Sequence, residues 1–276
     1  MMDAARPYVA AFAARFQQLL QYRTAALAGF ATQCWWGATK VMVYWAFFHA
    51  GRHGASPISL AQTITYTWLA QGFLALNPWG GDPDVAAAVR SGAVSYDRLR
   101  PVDGYAWWYA RAAGYMTARA VPRAALMFLT AGVALPLLGL AAWSWRPPAD
   151  LTQAGLFALS MLLVVALASA ITNLTNVIIA ATLTDRGANI LMGPLLIVFS
   201  GNLLPLRLFP DWAQTALFVQ PFAGLVDIPF RIYFGDLTGA GAWSGIGLQA
   251  FWTLAFVAGG RAWMGRVMAR LQVQGG

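Results

Sequence analysis

Apolar residues first recur at helical spacing near the start of the chain: Tyr8, Phe12, Phe16 and Leu19, with Val9 and Leu20 beside them. Arginines and glutamines fill much of the remaining surface. This pattern predicts an amphipathic helix over residues 1–23, suited to lie in a membrane interface. It does not read as a cleaved signal peptide, because Arg6, Arg15 and Arg23 interrupt any uniform apolar run.

Long apolar runs follow. A helix crossing about 30 Å of hydrocarbon needs roughly 20 mostly apolar residues. Six segments are predicted to meet that need, at about Thr24–Ala50, Ile58–Leu76, Ala120–Trp143, Ala154–Leu183, Ala188–Leu204 and Ala242–Met264. Between the fifth and sixth lies "LPLRLFPDWAQTALFVQPFAGLVDIPFRIYFG", too apolar for a solvated loop. Pro205, Pro210, Pro221 and Pro229 cut it into short pieces. Pieces of that length suit re-entrant or interfacial helices better than spans. Asp211, after Pro210, is expected to cap the first piece. Asp227 and Arg231, four residues apart, are expected to pair on one helix face.

Composition agrees with a membrane chain. Only 10% of its residues are charged and 59% are apolar, where a soluble domain carries about a quarter charged. The net charge of +8 would suggest nucleic acid only if the arginines formed a face on a soluble fold. Here they follow topology instead. Assigning the N-terminus, the loops after helices two and four, and the C-terminus to one side places thirteen arginines there and four on the other. The excess of positive charge on cytoplasmic loops then puts both termini in the cytoplasm. The acidic residues are ten aspartates and no glutamate.

No catalytic motif emerges. The single lysine, Lys40, lies inside helix one, so the chain has no phosphate-binding Gly-x-x-x-x-Gly-Lys-Ser/Thr loop. His49 and His53 have a spacing that could hold a metal, but Gly51 and Gly54 break the helix and no third ligand lies near in sequence. No metal site is expected. A serine nucleophile would need a histidine base, and both histidines lie in one outer loop.

The charge is densest in "VRSGAVSYDRLRPVDGY", Val89–Tyr105. The preceding "DPDVAAAVRSG" reads as a short helix with Asp84 favourable at its positive end and Gly92 as its stop. "VRSGAVSYDRLRPVD" resembles the cytoplasmic motif of membrane subunits (permeases) of ABC exporters of the ABC-2 class, in the branch of viologen-exporter permeases. "FSGNLLPLRLFPDW" and the ending "RLQVQGG" resemble the same branch, and the order of features does so over nearly the whole chain.

The resemblance implies an all-α membrane protein with one domain over residues 1–276 in a bacterial inner membrane. It has six transmembrane helices, an N-terminal interfacial helix, a cytoplasmic coupling segment at 83–103 and two short re-entrant outer helices within 204–235. It implies a permease working with a second, identical or related permease, driven by separate ABC ATPase subunits that bind the ATP and magnesium. This chain itself holds no cofactor and contacts membrane lipids. Arg90, Gly92, Tyr96, Arg98, Leu99, Arg100 and Pro101 would form the ATPase-coupling surface. Polar residues inside spans are costly and mark candidate paths: Gln33, Lys40, Gln62, Tyr66, Gln71, Asn189, Ser200 and Asn202. Pro210, Asp211, Asp227 and Arg231 would shape the outer segment. Lys40 could equally snorkel to the outer headgroups. The substrate stays open between amphipathic small molecules, lipids and cations, since no aspartate lies in a span. A membrane-embedded lipid-modifying enzyme and a non-transporting scaffold are the alternatives.

Overall fold

A computed structural model describes residues 2–51 and 58–270, apart from the side chains of 2–4, Arg98 and Arg270. Among the described residues every regular element is helical and there is no strand. The principal helices are α1 (Met2–Leu20), α2 (Arg23–His49), α3 (Leu60–Gly72), α4 (Pro83–Arg90), α5 (Gly104–Leu137), α6 (Leu151–Thr182), α7 (Arg186–Phe199), α8 (Asp211–Val219), α9 (Asp227–Tyr233) and α10 (Gly239–Arg270).

Two of them, α5 and α6, are long and apolar enough to cross a membrane. The α2 and α10 helices have the length, but tryptophan, glycine, glutamine and threonine lower their mean hydropathy. With 14 residues, α7 spans only about 21 Å at the usual rise. The second predicted span is likewise shorter as a helix: α3 has 13 residues and passes into a 3₁₀ turn at Leu74–Leu76.

The third predicted span needs the largest correction. Its helix starts at Gly104 rather than near Ala120, because Asp103 caps it by accepting the Ala106 N–H at 2.8 Å. Arg111 and Arg119 therefore sit on a helix and not in a loop. Near its far end, Pro136 supplies no N–H and crowds the preceding turn. The helix relaxes there into a π turn at Thr130–Ala134, and the Ala131 carbonyl accepts the Trp145 N–H at 3.0 Å.

The centre of the bundle is α6. Asp150 caps its start, accepting the Gln153 N–H at 2.8 Å. From Leu167 to Asn173 every residue is buried, and the helix as a whole packs against α4, α5, α9 and α10. Ala168, Ser169 and Ala170 within that run let neighbouring backbones approach closely. Ser160 of α6 donates to Gln249 of α10 at 2.9 Å, and the Gln249 amide donates onward to Gly224 O at 2.7 Å. Such buried interhelical bonds contribute about 0.6–2 kcal/mol in an apolar surround.

The ion pairs sort the molecule into two ends. At one, Arg90 meets Asp185 at 3.3 Å and Arg261 meets Asp103 at 2.6 Å. These contacts gather α4, the α6–α7 turn, the start of α5 and the last turns of α10. At the other end lie Asp227 with Arg231 and Asp236 with Arg207. The two short helices expected between the fifth and sixth segments are present as α8 and α9. Asp211 does not cap α8: Pro210 holds the cap position, and the Asp211 carboxylate accepts from Gln214 Nε2 at 3.1 Å from inside the first turn.

Candidate functional site

The first candidate site is the segment joining α4 to α5. Asp82 caps α4 with Pro83 at its first position, and Asp84 follows in the first turn. Gly92, at φ 75°, turns the chain in a conformation that a side chain would strain. A 3₁₀ stretch at Ala93–Leu99 follows. Asp97 holds this stretch to α5: Trp108 Nε1 donates to it at 2.9 Å, and Arg100 Nε donates to its other oxygen at 3.1 Å. The Arg100 guanidinium also lies 4.8 Å from the Trp107 ring centre. With Asp97 so engaged, Tyr96 and Leu99 project outward, 68% and 79% exposed. Arg90 and Arg100 flank them, both about half exposed at the side chain. Pro101 precedes the Asp103 cap of α5. The Arg98 side chain lies outside the described residues. Beside this platform a cleft of about 410 Å³ is lined by Arg100, Asp103, Tyr105, Arg261 and Met268, among others.

A buried ionic cluster roots the platform in the bundle. Arg15 of α1 is only 5% exposed. Its Nη2 meets Asp82 Oδ1 at 2.5 Å, and its Nη1 pairs with Asp84. The Asp82 N–H donates to Asn176 Oδ1 of α6 at 2.8 Å. Burial pushes the Asp82 carboxyl above its ordinary value, while the Arg15 charge and the Asp84 N–H pull against that rise. The first helix, the start of α4 and the central helix are thus joined at one point, one short helix away from the platform. Sequence reasoning missed Arg15 and Asp82; only the cap position of Asp82 was a readable signal.

The second candidate site is a cavity of about 500 Å³ between α2, α3 and the chain from Asn202 to Leu208. It brings together three of the predicted path residues, Lys40, Tyr66 and Asn202. Val43, Phe47, Phe48 and Leu204 supply apolar wall. Its roof is fixed from below. Tyr66 OH donates to Gly201 O at 2.6 Å, and the Asp227 N–H donates to Ser200 O at 3.1 Å. Asp227 Oδ1 accepts the Leu206 N–H at 3.0 Å. Gly201 has φ 90°, and a Cβ there would stand 2.9 Å from Tyr66 OH. The glycine of "FSGN" is therefore a conformational requirement of this roof.

The remaining predicted path residues lie elsewhere. Gln62 forms a capping box with Ser59 at the start of α3. Asn189 packs against Gly80 at the opposite end of the molecule. Gln33 and Gln71 are buried in α2 and α3 but do not line the cavity, and Ser200 is buried behind its roof. Among the described residues no group of three potential metal ligands occurs. The His49 ring pairs with Trp45 O at 2.8 Å, and His53 lies outside the described residues. No protein-family model, curated protein or solved structure matches the chain, so its function has to be argued from the chemistry of these two sites.

Proposed function

We propose that the chain is the membrane subunit of an ATP-driven exporter, working as a pair of permeases with a separate ATPase. The observation that carries this reading is the platform at Ala93–Leu99. Two large apolar side chains, Tyr96 and Leu99, are presented to solvent by a segment whose base is bonded to α1, α5 and α6. Exposed apolar residues on a rigid, arginine-flanked mount suit protein contact, and the bonds below suit transmission of force. The arginine-rich end containing this platform faces the cytoplasm of a bacterial inner membrane, with both termini on that side.

The broad apolar exterior supports membrane placement. Trp35, Leu137, Leu151, Leu162 and Phe251 are each more than half exposed, a surface costly in water and favourable in lipid. In this reading α2, α3, α7 and α10 join α5 and α6 in the bilayer, and α8 and α9 dip in from the outer face. The cavity around Lys40, Tyr66 and Asn202 is part of the substrate path, completed by the second permease.

Co-expression with an ABC ATPase tests the proposal, and a P-loop ATPase gene adjacent to that of this chain would be the partner to use. The two should co-purify with ATPase activity, and Leu99→Asp should reduce recovery of the ATPase at least about tenfold, as loss of an interface anchor does. Undiminished recovery with Leu99→Asp, or ATP hydrolysis by the isolated chain, would overturn it.

A further inference from the structure

Among the described residues Lys40 is the only charged one lining the outer cavity. The nearby carboxylates are already matched: Asp227 faces Arg231 at 3.7 Å, and Asp236 pairs with Arg207. Among the described residues Lys40 forms neither an ion pair nor a hydrogen bond. A buried or half-buried ammonium without a counter-ion is costly. Snorkelling would carry the ammonium to headgroups, yet here Lys40 lines a largely apolar, half-open cavity whose mouth can admit a ligand from the bilayer. Tyr44, Tyr66 and Asn202 supply the few polar atoms near it, while Val43, Phe47 and Leu204 offer walls for a chain. One fixed cation among a few polar groups in an otherwise apolar pocket is the complement of a ligand with one anionic group on an apolar tail.

We propose that this cavity binds an anionic amphiphile drawn from the membrane, its phosphate or carboxylate on Lys40 and its chain along Val43, Phe47 and Leu204. The inference rests on the exporter reading only for the direction in which the ligand moves; binding is a property of this chain alone. It also separates the cavity from cationic ligands, because no carboxylate lines it and its own charge repels them.

The test uses the full chain in phosphatidylcholine nanodiscs, titrated with dodecyl phosphate, dodecyltrimethylammonium and inorganic phosphate. Dodecyl phosphate should bind saturably. Lys40→Gln should weaken it by about tenfold or more, the loss of one charge-assisted contact, while Lys40→Arg should keep most of the affinity. Val43→Trp, which leaves the charge intact and fills the wall, should weaken binding as well and decides the matter if Lys40→Gln does not fold. Equal binding by the Lys40→Gln variant, equal or tighter binding of dodecyltrimethylammonium, or equal displacement by inorganic phosphate would overturn the proposal. Adding the co-purified ATPase separates the two readings. Binding of dodecyl phosphate without any effect on ATP hydrolysis would leave the ligand assignment standing and count against the exporter. ATP-coupled transport of other compounds without dodecyl phosphate binding would do the reverse.

Discussion

Asp227 is fully buried beneath the chain that roofs the outer cavity. Burial lifts its carboxyl from the ordinary 3.8 to about 6, against the opposing pull of Arg231 and the Leu206 N–H. Between those two values the folded state holds a proton that the unfolded chain has released. The stability this group contributes is therefore present below 3.8 and is lost as pH rises through about 6. The full swing is on the order of 3 kcal/mol. Asp227→Asn keeps the acceptor for Leu206 and removes the titration. Thermal unfolding in detergent should thus show wild-type stability falling across this window relative to the variant, whose curve lacks that component. Parallel curves for the two proteins would show that Asp227 does not titrate there. The Asp227–Arg231 pair was readable from its four-residue spacing. Its burial was not, because the roof over it comes from residues more than twenty positions earlier.

The most consequential contact between elements is the one joining α1, α4 and α6 through Arg15, Asp82 and Asn176. Removing one partner of a buried ion pair costs about 3–5 kcal/mol, whereas replacing both together costs far less. Arg15→Met should therefore lower the melting temperature markedly, and adding Asp82→Asn should recover much of the loss. Additive losses in that double-mutant cycle would show that the two residues are not coupled. Arg15→Lys should be a poor substitute, since one ammonium lacks the planar fork that reaches both Asp82 and Asp84. The sequence could group Arg15 with the other arginines counted to one side, but could not place it inside the protein. Its partners lie 67 and 69 residues away, and no local periodicity encodes that pairing. The late start assigned to α5 has a related cause. Arg111 and Arg119 read as loop charges, yet with Arg123 they occur at helical intervals along α5, which packs against α1. Arg119 lies over the Tyr115 ring at 4.8 Å, so its charge is accommodated on a helix. By contrast, the bounds of α6 were legible to within a few residues, because a long, mostly apolar run without a charge or a proline favours one continuous helix.

At the scale of the molecule, two independent asymmetries coincide. Arginine counting along the sequence assigns thirteen to one side and four to the other, and the arginines of each set that form ion pairs lie at opposite ends of the folded chain. Arg15, Arg90 and Arg261 meet partners at one end, and Arg207 and Arg231 meet partners at the other. Charge position along a sequence and charge position in space need not agree in a soluble helical protein, where ion pairs scatter over the surface. Their agreement is the expected result when a membrane separates two compartments. The orientation can be tested directly, since Cys34 is the only cysteine. In a Cys34→Ala background, Ser91→Cys lies beside the exposed platform, and Trp212→Cys replaces a residue 86% exposed on α8. A membrane-impermeant maleimide applied to intact inner-membrane spheroplasts should label the Trp212→Cys protein. It should label the Ser91→Cys protein only after the membrane is permeabilised. The opposite pattern would invert the topology and place the Tyr96–Leu99 surface beyond reach of any cytoplasmic ATPase. Labelling of both positions in intact spheroplasts would mean that no bilayer separates the two ends, and the exporter reading would fail with the orientation on which it depends.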